Sequence, residues 1–320
     1  MLILCCTPLQ TLIAKAMVEA RGVSAFKLIY YTWIDNAKHR HYYDLLSRLA
    51  VDCVYIKLDS RFPEHFERFR QAFRDLKIQD EESIAFACID NFYIQYAINR
   101  YRFATILTFD DGTANIVRES VYHKPMRRSW PRRVVERVLR GAVDQLWIRE
   151  SVAAHYTIYP GFENIVDATR LVSVPLFKEV MGRSRRLNKE SIRIFLGQPV
   201  SDFRDDGLLV QYTNLLNALS VDEYLPHPRE YDLKDINNAK MTNLIAEQYI
   251  AEKLMEYAEV SVYSIGSTAL LNVEHPRLKK IIITYKNAPH ILNSMQPLFE
   301  KRGCYFMPAP NPVDELEVEL

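Results

Sequence analysis

Two adjacent carboxylates are the first candidates for chemistry in this sequence. Asp110 and Asp111 directly follow the apolar run Thr105–Phe109 and directly precede Gly112. Asp and Gly dominate turns, so a plain turn is one interpretation. Like charges repel, however, and a carboxylate pair at a strand end also fits a site that serves something outside the fold. A carboxylate placed there could accept a proton from a hydroxyl group or bind that group by a hydrogen bond.

Other strand ends and helix starts, all in the second half of the chain, also carry polar or turn-forming residues. They are Gly197, Gln198, Pro199, Asp202, Asp205, Asp206, His227, Pro228, Arg229, Glu247, Gly266, Ser267 and Thr268. Each has an ordinary explanation as a turn, a surface loop or a helix cap. Their common position at one edge of the predicted sheets favours a ligand site.

The stretch Gly266–Thr268 has the clearest physical interpretation. Ser267 or Thr268 could cap a helix whose first N–H groups point outward, and such groups bind phosphate. His227 could donate a further hydrogen bond to the same anion. Residues of these types indicate a site that binds a phosphoryl group and not a metal ion.

The elements that must position these residues alternate along the chain. In the first half we predict strands at Leu2–Cys6, Phe26–Thr32, Asp52–Leu58, Ser83–Ile89 and Thr105–Phe109, with helices at about 9–21, 37–49, 62–76 and 91–100. A further strand is predicted at Asp144–Ile148. In the second half we predict strands at Ile192–Leu196, near Tyr224, at Val260–Tyr263 and Lys280–Tyr285, with helices at about 206–218, 241–257, from Ser267 and 288–302.

This alternation predicts an α/β protein with two Rossmann-like domains that face a central cleft. The polar stretch 182–191 resembles a linker, so the predicted domains are 1–181 and 182–320. The acidic tail 308–320 is expected to be mobile. Ligands of such sheets bind beyond the carboxyl ends of the strands, which is where Asp110 and Asp111 are expected.

Composition excludes several classes of function. The 320 residues carry 41 basic and 40 acidic side chains, a balance that gives no reason to expect a nucleic-acid partner. The five cysteines show no ligand spacing, and we expect no metal site. No GxGxxG, P-loop or GxSxG motif is present. The sequence shows neither a signal peptide nor a spanning segment, so we expect a cytoplasmic protein.

One segment departs from the balanced charge. Residues 124–140 are strongly basic, and Trp130, Val134, Val135 and Val138 are interleaved with the cations. A solvated amphipathic helix is one interpretation. The other is a peripheral contact with an anionic membrane surface.

Several blocks of the sequence together resemble a known family. The blocks CCTPLQTLIAKAM, TFDDGTANI, HYTIYPGFENIVD, VPLFKE, IFLGQPV and PHPRE, which run in this order, are similar to the bacterial lipooligosaccharide sialyltransferases of glycosyltransferase family 52. The resemblance implies a GT-B fold and inverting transfer of sialic acid from CMP-sialic acid to a terminal galactose, with an α-2,3 linkage as the family's usual choice. It implies no cofactor and no metal. It also implies a homodimer that contacts the inner membrane peripherally.

The resemblance also implies roles for individual residues. His227 matches the histidine that binds the CMP phosphate, Glu247 an acid that contacts cytidine, and Gly266–Thr268 the turn that holds the phosphate. We also assign donor binding to the turn at Gly197, Gln198 and Pro199 and to the neighbouring Pro228 and Arg229. The base follows that turn, at Asp202 or Asp205, whereas a related family places it in an Asp-Asp-Gly like that at Asp110 and Asp111. A transferase for another sugar nucleotide and a non-catalytic binding protein are the alternatives.

Overall fold

The structure is a computed structural model that describes residues 1–59, 62–79, 83–124, 129–178, 180, 189–198, 215–230, 236, 238–284 and 290–309. The chain divides into two compact units, Met1–Leu176 and Phe177–Leu320, and each is described by itself. The predicted boundary between residues 181 and 182 lies outside the described residues and stays a prediction.

The first unit contains one sheet of seven parallel strands. These strands are β1 (Leu2–Cys5), β2 (Lys27–Thr32), β3 (Asp52–Lys57), β4 (Ser83–Phe86), β5 (Thr105–Phe109), β6 (Ala154–Thr157) and β7 (Leu171–Ser173). Their order in the sheet is β3-β2-β1-β4-β5-β6-β7. The first six positions follow the Rossmann order, whose strand order reverses between β1 and β4.

Six helices accompany this sheet in the described part of the first unit. They are α1 (Pro8–Arg21), α2 (Ala37–Ser47), α3 (Glu64–Asp75), α4 (Phe92–Tyr101), α5 (Trp130–Arg140) and α6 (Gln145–Ser151). The start of α1 is fixed by its sequence, because Thr7 Oγ1 accepts the Gln10 N–H and Pro8 occupies the first turn. Its end is set by Gly22, which adopts φ +62°. Aromatic and aliphatic side chains of α3 and α4 form a core against the sheet.

Over the residues described in the second unit there are five parallel strands: β8 (Lys189–Leu196), β9 (Glu223–Leu225), β10 (Tyr257–Ser264), β11 (Leu278–Thr284) and β12 (Cys304–Pro308). Their order is β12-β11-β10-β8-β9, which is the other common doubly wound order and reverses between β8 and β10. Its named helices are α7 (Ala246–Glu256), α8 (Ala269–Asn272) and α9 (His290–Lys301).

The predicted α/β class with two Rossmann-like domains is confirmed, and three local predictions are wrong. The stretch Asp144–Ile148 is not a strand: Asp144 caps α6 by accepting the Trp147 N–H. Lys189 begins β8 and does not belong to a linker. Pro308 ends β12, a strand that the sequence analysis missed, so the described structure extends into the predicted tail.

The two reversal points determine where polar loops gather. In the first unit the loops after β1 and β4 leave the sheet side by side, and the loop after β5 emerges next to them. In the second unit the loops after β8 and β10 do the same. Among the described helices, none is long and apolar enough to cross a membrane.

Candidate functional site

The candidate site of the first unit is built around Asp111, which lies half-buried beyond the end of β5. Its Oδ1 accepts a hydrogen bond of 2.6 Å from Gln10 Nε2, and its Oδ2 accepts one of 2.5 Å from the Tyr122 hydroxyl. Gln10 belongs to the first turns of α1. The carboxylate is therefore held from two sides at the point where the strand order reverses.

Two thiols complete this cluster. Gln10 Oε1 accepts the Cys6 N–H at 2.8 Å, and Gln10 Nε2 also lies 3.1 Å from Cys88 Sγ. The Cys6 and Cys88 sulfur atoms are 3.4 Å apart. The hydrogen bond with Cys6, burial and the nearby Asp111 charge raise the pKa of Cys88 well above its usual value. The Cys88 thiol is consequently neutral, and it serves the site as a weak donor rather than as a nucleophile.

The backbone after Asp111 requires a glycine. Gly112 adopts φ +60°, in the left-handed region that favours glycine. Asn115 Oδ1 accepts the Asp111 N–H at 2.6 Å, and this hydrogen bond closes the turn. The Asp-Asp-Gly sequence thus does form a turn, and that turn fixes the direction of the Asp111 side chain.

Asp110 has a different environment from its neighbour, because its side chain is fully buried. Its Oδ1 accepts hydrogen bonds from His155 Nε2 at 2.8 Å and Asn164 Nδ2 at 3.2 Å. Its Oδ2 accepts hydrogen bonds of 2.7 Å from the Thr157 hydroxyl and the Ile158 N–H. The expectation that Asp110 offers its carboxylate to a ligand is wrong, since both oxygens are occupied inside the unit.

Asp110 belongs to a row of polar groups that resembles a hydrolase triad. Thr108 Oγ1 lies 2.7 Å from His155 Nδ1, and His155 Nε2 faces Asp110. Thr108 and His155 are paired across β5 and β6, and all three side chains are fully buried. A nucleophile must reach its substrate, so this row is a structural connection between two strands and not a catalytic triad.

In the second unit, the turn after β8 contacts the loop after β9. A side-chain Cβ at Gly197 would overlap Glu230 Oε2 and the Tyr224 hydroxyl, so any larger residue there would displace these two side chains. Glu230 Oε1 accepts the Tyr224 hydroxyl at 2.6 Å, and Oε2 accepts the His227 N–H at 2.5 Å. Burial raises the pKa of Glu230. This acid, which the sequence analysis did not single out, connects the GQP turn with the PHPRE loop.

The same loop sets the protonation pattern of His227. Its Nδ1 accepts the Arg229 N–H at 3.1 Å, so the proton of the neutral ring resides on Nε2. His227 can therefore act as a hydrogen-bond donor through Nε2 without becoming charged. The side chain lies half-buried, while Pro228 and Arg229 are exposed. A neutral N–H donor of this kind can bind an anionic ligand.

The predicted phosphate turn differs from expectation. The helix after it, α8, is only four residues long, and Thr268 makes no capping hydrogen bond. Ser264 Oγ accepts the N–H groups of Gly266 at 3.1 Å and Ser267 at 2.8 Å. Those two N–H groups are thus directed to a buried serine at the end of β10, which the sequence analysis missed. Ser267 Oγ lies 3.4 Å from the Ala269 N–H.

Glu247 lies at the start of α7 with its side chain only 7% exposed. Its Oε1 accepts a hydrogen bond of 2.7 Å from Asn272 Nδ2, which ties α7 to the end of α8. Gln198 follows Gly197 in a half-buried position. Pro199, Asp202 and Asp205 lie outside the described residues. In the described part of the chain no three His, Cys, Asp or Glu side chains are grouped as metal ligands.

Comparison with known proteins assigns the family. The model of glycosyltransferase family 52 matches residues 24–285. This chain belongs to glycosyltransferase family 52. Both candidate clusters extend over matched residues, although Cys6 and Gln10 precede the match.

This family-52 chain is similar to sialyltransferases of three bacterial genera. It is 28% identical over 276 residues to the CMP-N-acetylneuraminate:beta-galactoside alpha-2,3-sialyltransferase of Pasteurella multocida, a match that covers 85% of this chain and 86% of the relative. It is 23% identical to N-acetyllactosaminide alpha-2,3-sialyltransferases of Haemophilus influenzae, with 87% and 90% coverage, and Neisseria meningitidis, with 85% and 75% coverage.

Solved structures support the fold. The calicheamicin glycosyltransferase CalG4 matches 99% of the family-52 chain and 86% of its own length, with a TM-score of 0.52 and 12% identity. The glycosyltransferase of kitacinnamycin matches 96% and 85%, with a TM-score of 0.50 and 9% identity. The fold is therefore of the GT-B type, as predicted.

The buried network predicts that Asp110 stabilises the first unit. Asp110→Asn replaces one accepting oxygen by an amide that donates, so some of the four donors lose their acceptor. We expect the free energy of unfolding to fall by about 1–3 kcal/mol, measured by urea denaturation.

Asp59→Asn is the matched control, since Asp59 is an exposed acid whose ion pairs with Lys57 and Arg68 lie at the surface. Such pairs contribute about 0–1 kcal/mol. Equal stability losses in the two variants would contradict the structural role of Asp110.

Proposed function

We propose that this family-52 glycosyltransferase transfers sialic acid from CMP-sialic acid to a terminal β-galactoside with inversion, forming an α-2,3 linkage, and that it needs no metal. The activities for which the Pasteurella, Haemophilus and Neisseria relatives are named support this proposal. A lipooligosaccharide is the proposed acceptor class, following the sequence resemblance.

The geometry of His227 supports a metal-free reaction. The leaving group CMP carries a single phosphate, and a donor aimed at its developing charge stabilises the transition state. His227 Nε2 has the proton for that hydrogen bond, because Nδ1 is occupied by the Arg229 N–H. Glu230 fixes the loop through the His227 N–H.

The acceptor hydroxyl needs a carboxylate to receive its proton. Asp111 is a candidate of the first unit, because its carboxylate is half-buried and is oriented by neutral donors. Asp202 and Asp205, outside the described residues, stay candidates from the sequence. Asp110 is withdrawn as a base because its carboxylate is enclosed.

The proposal is tested by incubating the purified protein with CMP-sialic acid and lactose. We expect sialyllactose and CMP in equal amounts, with α-2,3 linkage by NMR, and the same rate after treatment with EDTA. Turnover of a different sugar nucleotide alone would contradict the donor. Loss of activity in EDTA, restored by Mg²⁺ or Mn²⁺, would contradict only the metal-free mechanism.

Amide substitutions separate the base from the other carboxylates. Among Asp111→Asn, Asp202→Asn and Asp205→Asn, the variant that removes the base should lose about 10²–10⁴-fold in kcat, with little change in the donor KM. His227→Ala should instead raise the donor KM and lower kcat, since the phosphate needs its donor before and during bond cleavage. If all three Asn variants keep more than about a tenth of kcat, no carboxylate named here is the base.

We further propose that α5 contacts an anionic membrane surface. Trp130, Val134 and Val138 follow one another at a spacing of four residues, so they share one face of the helix, and all three are exposed. The neighbouring Arg133 and Arg137 are exposed as well. An apolar face bordered by cations is typical of helices that lie at the lipid surface.

Vesicle flotation tests this contact. The protein should bind vesicles rich in phosphatidylserine at low salt and be released as salt rises, because the basic residues are screened. Arg133→Glu with Arg137→Glu should abolish binding. The same change of charge at Arg68 and Arg74 on α3 is the control and should leave binding nearly intact. Equal behaviour of the two double variants would rule out a specific role for α5.

A further inference from the structure

A group of aromatic side chains, two of them exposed, lies at the carboxyl edge of the first unit's sheet. Trp33 follows β2 directly and is 52% exposed, and Phe62, at the start of α3, is also 52% exposed. His65 and Tyr93 lie beside them on α3 and α4. We call these four residues the aromatic platform. Most other aromatic residues of this unit are buried, so the exposure of Trp33 and Phe62 needs an explanation.

Buried contacts hold the platform in place. The Trp33 ring lies 6.0 Å from Tyr31 and 6.3 Å from Tyr93, centroid to centroid. The Tyr93 hydroxyl is 2.9 Å from His65 Nδ1, and the Phe62 ring lies 6.0 Å from His65 in an edge-on arrangement. Rings fixed in this way present an apolar surface with polar groups beside it, and binding them to a ligand costs little conformational entropy.

The platform is adjacent to the Asp111 cluster. Tyr31 contacts both Trp33 and Tyr93, and it belongs to β2, which pairs with β1 just before Cys6. Tyr30 lies opposite Cys5 in the sheet, which places Tyr31 at the level of Cys6. Cys6 Sγ is 3.4 Å from Cys88 Sγ, and Cys88 Sγ is 3.4 Å from Asp111 Oδ2. The two thiols thus link the buried Tyr31, which contacts the exposed Trp33 ring, to the half-buried carboxylate.

We infer that the aromatic platform binds the terminal galactose of the acceptor, with the sugar ring stacked on Trp33 and its hydroxyl groups directed toward Asp111. One face of galactopyranose is a patch of C–H groups that matches an aromatic ring, and the opposite edge carries hydroxyls. The platform and Asp111 offer these two kinds of surface side by side in one unit. This inference rests on the proposed galactoside acceptor.

Kinetics of Trp33 variants test the inference. Trp33→Ala should raise the KM for lactose about tenfold or more, which is the loss of one good aromatic contact, and Phe62→Ala should raise it less. The donor KM and the acceptor-independent hydrolysis of CMP-sialic acid should stay unchanged. Trp33→Phe should retain most of the affinity for lactose. Trp147→Ala, which removes an exposed tryptophan from α6, is the matched control and should not alter the KM for lactose.

Ligand binding without turnover separates this inference from the proposed function. Saturation-transfer NMR with methyl β-galactoside should show contact in the wild-type protein and lose most of it in Trp33→Ala. The wild type could show no transfer from CMP-sialic acid and still give a stronger NMR signal than Trp33→Ala. That result would support galactose binding by the aromatic platform and contradict the proposed reaction. An unchanged NMR signal and an unchanged lactose KM in Trp33→Ala would overturn the inference. So would a change of oligomeric state in Trp33→Ala with normal lactose kinetics, which would make Trp33 part of a protein interface.

Discussion

The carboxylate of Asp110 accepts hydrogen bonds from His155, Thr157, Ile158 and Asn164, and the first unit's site depends on this interaction. A buried carboxylate is costly unless its oxygens are satisfied. Because the donors come from β6 and the loop after it, satisfying the charge also ties β5 to β6. The chain leaves β5 in a fixed direction, and Asp111 then reaches Gln10 and Tyr122.

In the second unit, Glu230 is likewise an acid whose oxygens accept hydrogen bonds inside the unit. This acid accepts the Tyr224 hydroxyl and the His227 N–H, and it fills the space that a side chain at Gly197 would need. A partly buried acid therefore sets the position of the histidine loop, and the Arg229 N–H sets the tautomer. In both units a hydrogen-bonded acid fixes the position of a residue that we propose contacts the substrate.

Periodicity predicted the framework well, because strands buried on both faces and the helices between them leave strong patterns. Residues Thr105–Phe109 were placed correctly as a strand. The sequence could not tell Asp110 from Asp111, since the burial of Asp110 depends on His155, which is distant in the chain. Ser264, Glu230 and Tyr122 were missed although their hydrogen-bond partners lie only 2 to 11 residues away, because no motif marked these side chains. The predicted phosphate-binding helix is the four-residue α8, and Ser264 accepts the two N–H groups before it.

Asp110 and Asp111 are adjacent acids whose charges are expected to repel each other. In the structure they have different kinds of neighbours. Asp110 is fully buried, and hydrogen-bond donors surround both of its carboxylate oxygens. The carboxylate therefore cannot contact a ligand. The side-chain donors to Asp111 are an amide, a phenol and a thiol, and all three are uncharged. An arginine in their place would form a strong bidentate pair with Asp111 and compete with a substrate proton. Neutral donors orient the carboxylate yet leave it able to accept one more hydrogen bond, which is the property that a base or a sugar ligand requires.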